Sequence, residues 1–229
     1  MTSDPQQALL SVVALNVALV FLTIGAFWAG VFVVRSLGWK VGYSLSSLGI
    51  RRPKGGLLGG ASVGALVGVG ALVVSMPVNL ASASLLDRLG YPTERAIQGP
   101  FMQGLARWVE ESPGIAVPAI ILVVVIFGPA VEELVFRGAI FNGLYRLTGL
   151  VSTRRTSFVL AALVSSAVFA LLHLEPVLLP ALLILAVTLC ALFARTGSLL
   201  PTFVAHATFN SFAVTLIILV GLGVFELPI

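Results

Sequence analysis

Apolar residues fall in six long runs along the chain, at roughly 8–34, 57–80, 114–147, 156–174, 176–194 and 198–225. Runs of eighteen or more apolar residues have the length a helix needs to cross a bilayer. No segment alternates apolar and polar positions as the strands of a membrane barrel do. The pattern predicts an all-α fold, a polytopic transmembrane bundle of about six to eight membrane helices.

The runs differ in detail. The second carries Gly60, Gly64 and Gly68 at four-residue spacing, a strip of small residues on one helix face that suits close packing in lipid. The strip serves the fold or a dimer, which leaves the oligomeric state open. The third is too long for one straight span and is interrupted by Gly128 and Pro129. Proline lacks a backbone donor and kinks or restarts a helix, so a new helix is expected just after Pro129. Between runs one and two lies a Gly- and Ser-containing polar loop, expected to hold an interfacial turn. Residues 81–113 are the most soluble-looking part and predict an extracytoplasmic loop with a short amphipathic helix, a candidate lid or partner site.

Composition supports the membrane assignment: only 10% of residues are charged, against about a quarter in soluble domains. The net charge of +4 does not point to nucleic acid, because the basic residues sit in short loops. There they act as topology signals and contacts for anionic membrane lipids. Arg35, Lys40, Arg51, Arg52, Lys54, Arg146, Arg154, Arg155 and Arg195 share one side of a six-span chain. Opposite them Arg88, Arg95 and Arg107 mix with Asp87, Glu94, Glu110, Glu111 and Glu175. This distribution places both termini outside and suggests the cell (plasma) membrane. The single cysteine, Cys190, excludes an internal disulfide and a cysteine metal cluster. MTSDPQQ at the N-terminus lacks the basic region of a signal peptide, so the first run is expected to stay as a helix; FELPI at the C-terminus holds no lipidation motif.

Against this background, charges inside the runs need a reason, since each costs about 2.5–3.5 kcal/mol at mid-bilayer. VEELVFRG, residues 131–138, follows fourteen uncharged residues. Helical neighbours point about 100° apart, so Glu132 and Glu133 cannot share a direction. Glu133 and Arg137 stand four apart in the favourable acid-then-base order and can pair, leaving Glu132 without that partner. An unpaired carboxylate in an apolar cavity can exchange protons with water. FALLH places Phe169 beside His173 on one face, and HATFN projects His206 and Asn210 into one space. A histidine and an amide so placed can offer two donors to a developing oxyanion. The bland alternatives are an interhelical salt bridge, an interfacial histidine and helix–helix hydrogen bonds. RTGSLLP, residues 195–201, reads as the tight turn that starts the last helix. Absences narrow the chemistry: there is no HExxH, no serine elbow, no phosphate loop, and neither aspartate (Asp4, Asp87) lies in a run.

The ordered set Glu132-Glu133-x-x-x-Arg137, Phe169-x-x-x-His173 and His206-x-x-x-Asn210, with RTGS before the last helix, resembles the CPBP family. These are the CAAX-type prenyl endopeptidases and bacteriocin-processing enzymes, also called the Abi family. The resemblance covers about residues 115–225 and divides the chain into 1–113, membrane helices and polar loop, and 114–229, a catalytic helical core, within one integral membrane domain. It implies a hydrolase performing intramembrane proteolysis near the C-terminus of a prenylated or other peptide. Glu132 and His173 would activate water, His206 and Asn210 would bind the oxyanion, and Glu133, Arg137 and Phe169 would support them. The expected partners are a peptide or lipidated protein substrate and membrane lipids.

Because the family is often labelled metalloprotease, zinc is the open question. Glu132, His173 and His206 would form a two-histidine, one-carboxylate site. The preferred reading needs no cofactor, because each histidine stands beside a group better suited to packing or oxyanion binding than to supporting a metal ligand. Two other classes compete with the enzyme. One is a non-catalytic scaffold or immunity-type protein that keeps the polar network for packing or partner binding. The other is a small proton-coupled transporter, for which internal repeats are expected and none is evident. One conflict remains within the enzyme reading: His173 lies about 27 Å from Arg155 along its helix, and His206 about 12 Å from Ser198.

Overall fold

The computed structural model describes residues 4–38, 44–91 and 98–225. Lys40, Glu94 and Arg95 of the topology argument, and all of FELPI but Phe225, lie outside the described residues. The described residues form seven α-helices and no strand: α1 Pro5–Ser36, α2 Gly56–Arg88, α3 Gln98–Glu111, α4 Pro113–Thr148, α5 Arg154–Leu172, α6 Leu179–Thr196 and α7 Leu199–Gly221. All but α3 are long and apolar enough to cross a membrane. The chain is a polytopic helical membrane protein.

Local chemistry sets several ends. Asp4 accepts from the Gln6 amide and Pro5 opens α1, an N-cap with proline where its missing donor costs nothing. Thr153 caps α5 through the Thr156 amide. At RTGS, Gly197 ends α6 in the left-handed region (φ +62°) and Ser198 caps α7. The turn therefore has the structural part expected of it.

The segment 81–113 is less loop-like than its composition suggests. α2 continues through Pro77 to Arg88, since Leu85 and Leu86 extend the apolar run that the charges appeared to end. The expected amphipathic helix is α3, whose Leu105 and Val109 are fully buried in a cluster with Ile120, Val214 and Ile217. Glu175, expected in an outer loop, is also buried, at 2% exposure.

The glycine strip is spent inside the chain. Gly60 packs on Pro53 and Pro201, Gly64 on Pro201 and Val204, and Gly68 on Ala205 and Thr208. The rising order on both helices means α2 and α7 run parallel, backbone to backbone. A Cβ at Gly64 or Gly68 would strike the carbonyl of Pro201 or Ala205. Gly64→Ala should therefore lower stability by about 1–3 kcal/mol. Gly70→Ala, where a Cβ meets nothing within 4 Å, should be neutral or stabilising by up to about 1 kcal/mol. Thermal unfolding in detergent compares the two; equal shifts would discount the strip.

α4 does not restart after Pro129. It runs unbroken from Pro113 to Thr148, with π-helical turns at Ile121–Phe127 and Leu134–Phe141. The Gly128 amide bonds to the Val123 carbonyl, five residues back. In that register the next donor would be the amide of Pro129, which has none. The wider turn absorbs the proline without a break, and such turns recur at functional sites.

Residues 44–54 close one end of the bundle. The Ser47 carbonyl accepts from Asn142 Nδ2 (2.7 Å) and Arg146 Nη2 (3.3 Å). The Gly49 carbonyl accepts from the Leu199 amide (2.9 Å), and Ser198 Oγ donates to the Arg51 carbonyl (2.6 Å). Gly138 lets the Leu48 carbonyl approach, to 2.7 Å from where its Cβ would stand.

This plug resolves the depth conflict. α5 starts beside Tyr145, whose hydroxyl accepts from Arg154 Nε at 3.1 Å. α7 starts beside Gly138, against which Leu199 packs. Those positions on α4 are about 10 Å apart. α7 is recessed by that much, with the plug filling the recess, and the partner of His206 is Phe169, one turn before His173.

Candidate active site

The two glutamates lie on the six-residue α-helical stretch Gly128–Glu133, between the π turns of α4. Their divergence has the expected consequence and one that was not expected. Arg137 Nη1 sits 2.9 Å from Glu133 Oε1, with neither residue exposed. The guanidinium lies 4.7 Å from the Phe169 ring centroid, and its Nη2 is 3.5 Å from the Ala186 carbonyl. Nη1 is off the hydrogen-bond axis and finds no aligned acceptor among the described residues, so the contact is an ion pair by proximity.

Glu132 is not solitary. His206 from α7 enters between the carboxylates, with Nδ1 2.9 Å from Glu133 Oε1 and Nε2 3.6 Å from Glu132 Oε2. A carboxylate only accepts here, so Nδ1 carries the proton in the shorter contact. Nε2 is left to face Glu132, whose side chain is 25% exposed while that of Glu133 is 1% exposed. Reading α4 alone could not show this, because the histidine comes from 73 residues away.

Phe169 joins the parts. Its ring meets Phe136 edge-on at 5.1 Å, His206 at 5.7 Å and His173 at 4.7 Å. His173 caps α5 and is half-buried, and its Nδ1 lies 2.7 Å from the Phe169 carbonyl. A carbonyl cannot donate, so Nδ1–H donates and Nε2 keeps a lone pair when the ring is neutral. Leu174, next in the turn, holds a left-handed φ of +53°.

Asn210 completes the set one turn beyond His206. Its Nδ2 donates to the Val124 carbonyl at 3.1 Å, the acceptor that the missing Pro129 donor leaves free. One amide proton is thus committed to α4 and the other remains. Pro129 and Val124 were not recognised as part of the site from sequence. The signal was the proline five residues after Val124, read as a helix start rather than as the source of an unfilled carbonyl.

The neighbour-based argument against a metal does not stand. Both Nδ1 atoms have acceptors, a carbonyl and a carboxylate, which are the supports that metal-binding histidines have. Among the described residues no three His, Cys, Asp or Glu side chains form a group that could hold a metal ion. Glu132, His173 and His206 as placed here are not such a group, and no step below passes through zinc.

Known proteins bear on the same region. Residues 114–212 match the family model described as type II CAAX prenyl endopeptidase Rce1-like. The candidate membrane peptidase YdiL of Bacillus subtilis (strain 168) is 33% identical over 119 residues, 50% of this chain and 46% of that protein. The membrane-embedded CAAX protease MroQ of Staphylococcus aureus (strain USA300) is 33% identical over 98 residues, 43% of this chain and 39% of that protein. The chain thus spans less than half the length of either relative. No solved structure matches. The matched segment contains all three motifs, from Glu132 to Asn210, and over those residues the chain is similar to the CPBP family.

Proposed function

We propose that the protein is an intramembrane endopeptidase of the cell membrane, which hydrolyses a peptide bond near the C-terminus of a prenylated CAAX-type protein or a similar peptide. The observation that carries this reading is the asymmetry of the two glutamates. Glu133 is consumed by Arg137 and His206, while Glu132 is partly open and 3.6 Å from an imidazole nitrogen.

In the proposed reaction Glu132 and His173 Nε2 hold a water molecule, and Glu132 takes its proton as the oxygen attacks the scissile carbonyl. The oxyanion receives the remaining Asn210 N–H and His206 Nε2–H when that ring is doubly protonated. Glu133, accepting from Nδ1, steadies the imidazolium. With Arg137 the four groups then sum to no net charge, which suits their burial. The proton on Glu132 passes to the leaving amine, the tetrahedral centre collapses, and a carboxylic acid and an amine leave.

The test is cleavage of a quenched peptide ending in a prenylated CAAX sequence by the purified protein, beside its unprenylated counterpart. Cleavage of the prenylated peptide supports both the activity and its substrate class. Cleavage of the unprenylated peptide alone keeps the peptidase and sinks the prenyl specificity. Asn210→Ala should lower the rate by about 10²–10³, as loss of one oxyanion donor does. Unchanged cleavage would mean that Asn210 serves only to fill the Val124 carbonyl.

A further inference from the structure

At the plugged end of the bundle a cavity of about 650 Å³ opens between α4, α5 and α6. Arg154 and Arg155 from the start of α5, Arg195 from the end of α6, and Tyr145 from α4 line it, over a floor of Phe158, Ala191 and Ala194. Tyr145 and Ala194 also line a smaller cavity of about 190 Å³, which adds Arg51 and Arg146. No Asp or Glu lines either one. Five arginines therefore converge on adjoining cavities with no counter-charge among the described residues.

The polar geometry is specific. Tyr145 is fixed by stacking on Phe141 at 5.6 Å, and its oxygen already accepts from Arg154 Nε. Its own O–H is therefore left to donate. Arg154 keeps its terminal nitrogens, and Arg155 and Arg195 are exposed and form no ion pair among the described residues. A planar fork of N–H groups and a phenol O–H match the tetrahedral oxygens of a phosphate. The surroundings favour a lipid over a soluble anion. Val159 beside Phe158, and Val187 one turn from Ala191, are exposed at 44% and 38%, a path for acyl chains away from the cavity. Basic pockets between membrane helices are where anionic headgroups dock.

We propose that this cavity is a binding site for the headgroup phosphate of an anionic phospholipid. Tyr145, Arg154 and Arg195 hold the phosphate oxygens, and the chains lie along the α5–α6 face. Topology needs only positive charge at this end; the site needs these particular side chains around one cavity.

The test is native mass spectrometry of the full chain in detergent, titrated with phosphatidylglycerol, phosphatidylcholine or soluble glycerol phosphate. Phosphatidylglycerol should bind, and Arg154→Ala/Arg195→Ala should weaken it about 25-fold, roughly fivefold per arginine. Arg88→Ala/Arg107→Ala, the same charge change at the other end, should leave it within about twofold. Tyr145→Phe, which changes no charge, should weaken it about tenfold or more, as loss of one hydrogen bond to a charged group does. Equal weakening by both arginine pairs, equal binding of phosphatidylcholine, or an unaffected Tyr145→Phe would overturn the site. Glycerol phosphate binding as tightly as the lipid would overturn the lipid as occupant.

Discussion

Glu132→Gln is expected to remove peptide cleavage, by about 10²–10⁴ in rate, while leaving the thermal unfolding midpoint near that of wild type. The amide keeps the shape of the carboxylate but cannot take a proton from water. Its structural ties are weak: Oε2 is 3.6 Å from His206 Nε2, and a quarter of the side chain is open. Glu133→Gln should behave differently. It leaves Arg137 buried without its counter-charge, so stability falls along with activity. The pair of variants separates the enzyme from the scaffold reading. Glu132→Gln cleaving like wild type would sink the assignment of the base. A loss of stability equal to that of Glu133→Gln would make Glu132 a packing residue.

Arg137→Met should produce the largest loss of stability, about 3–5 kcal/mol, the cost of leaving one buried charge unpaired. In a chain of this length that lowers the midpoint by roughly 10 °C. Methionine fills much of the volume and keeps contact with Phe169, so the loss reports the Glu133 carboxylate. Glu133→Gln/Arg137→Met should recover most of it, since the double variant buries no charge there and the glutamine carbonyl can still accept from His206 Nδ1. If the double variant stays as unstable as Arg137→Met, the guanidinium is held by Phe169 and the Ala186 carbonyl rather than by charge.

Much of the site was legible because its spacings are local. Glu133 and Arg137 are one helical turn apart, and so are Phe169 and His173; the periodicity that put them together is a property of any helix. That Glu133, and not Glu132, meets Arg137 followed from the 100° step. What failed was reasoning across helices. The insertion of His206 between the carboxylates and the use of the Val124 carbonyl by Asn210 depend on how α7 lies against α4. Pro129 misled for a related reason: a missing donor breaks a helix only where the register offers no wider turn, and the residues around it do not state the register. The glycine strip was read correctly as a packing face, but which helix it packs on was not in the spacing.

The sequence by itself determined that the chain crosses a membrane as helices, because unsatisfied backbone in lipid leaves few other solutions. It also determined which side chains are too costly in lipid to be idle. Only the tertiary structure decided the depth at which they meet. Segment 44–54 wedges under α7, sets it nearly two turns deep against α4, and so brings His206 level with Glu133 and Phe169. Helix length measures distance along one axis, whereas relative depth is set by packing between axes. That packing comes from contacts such as Gly138 with Leu48 and Leu199 with Gly49, which join residues some ninety to one hundred and fifty positions apart.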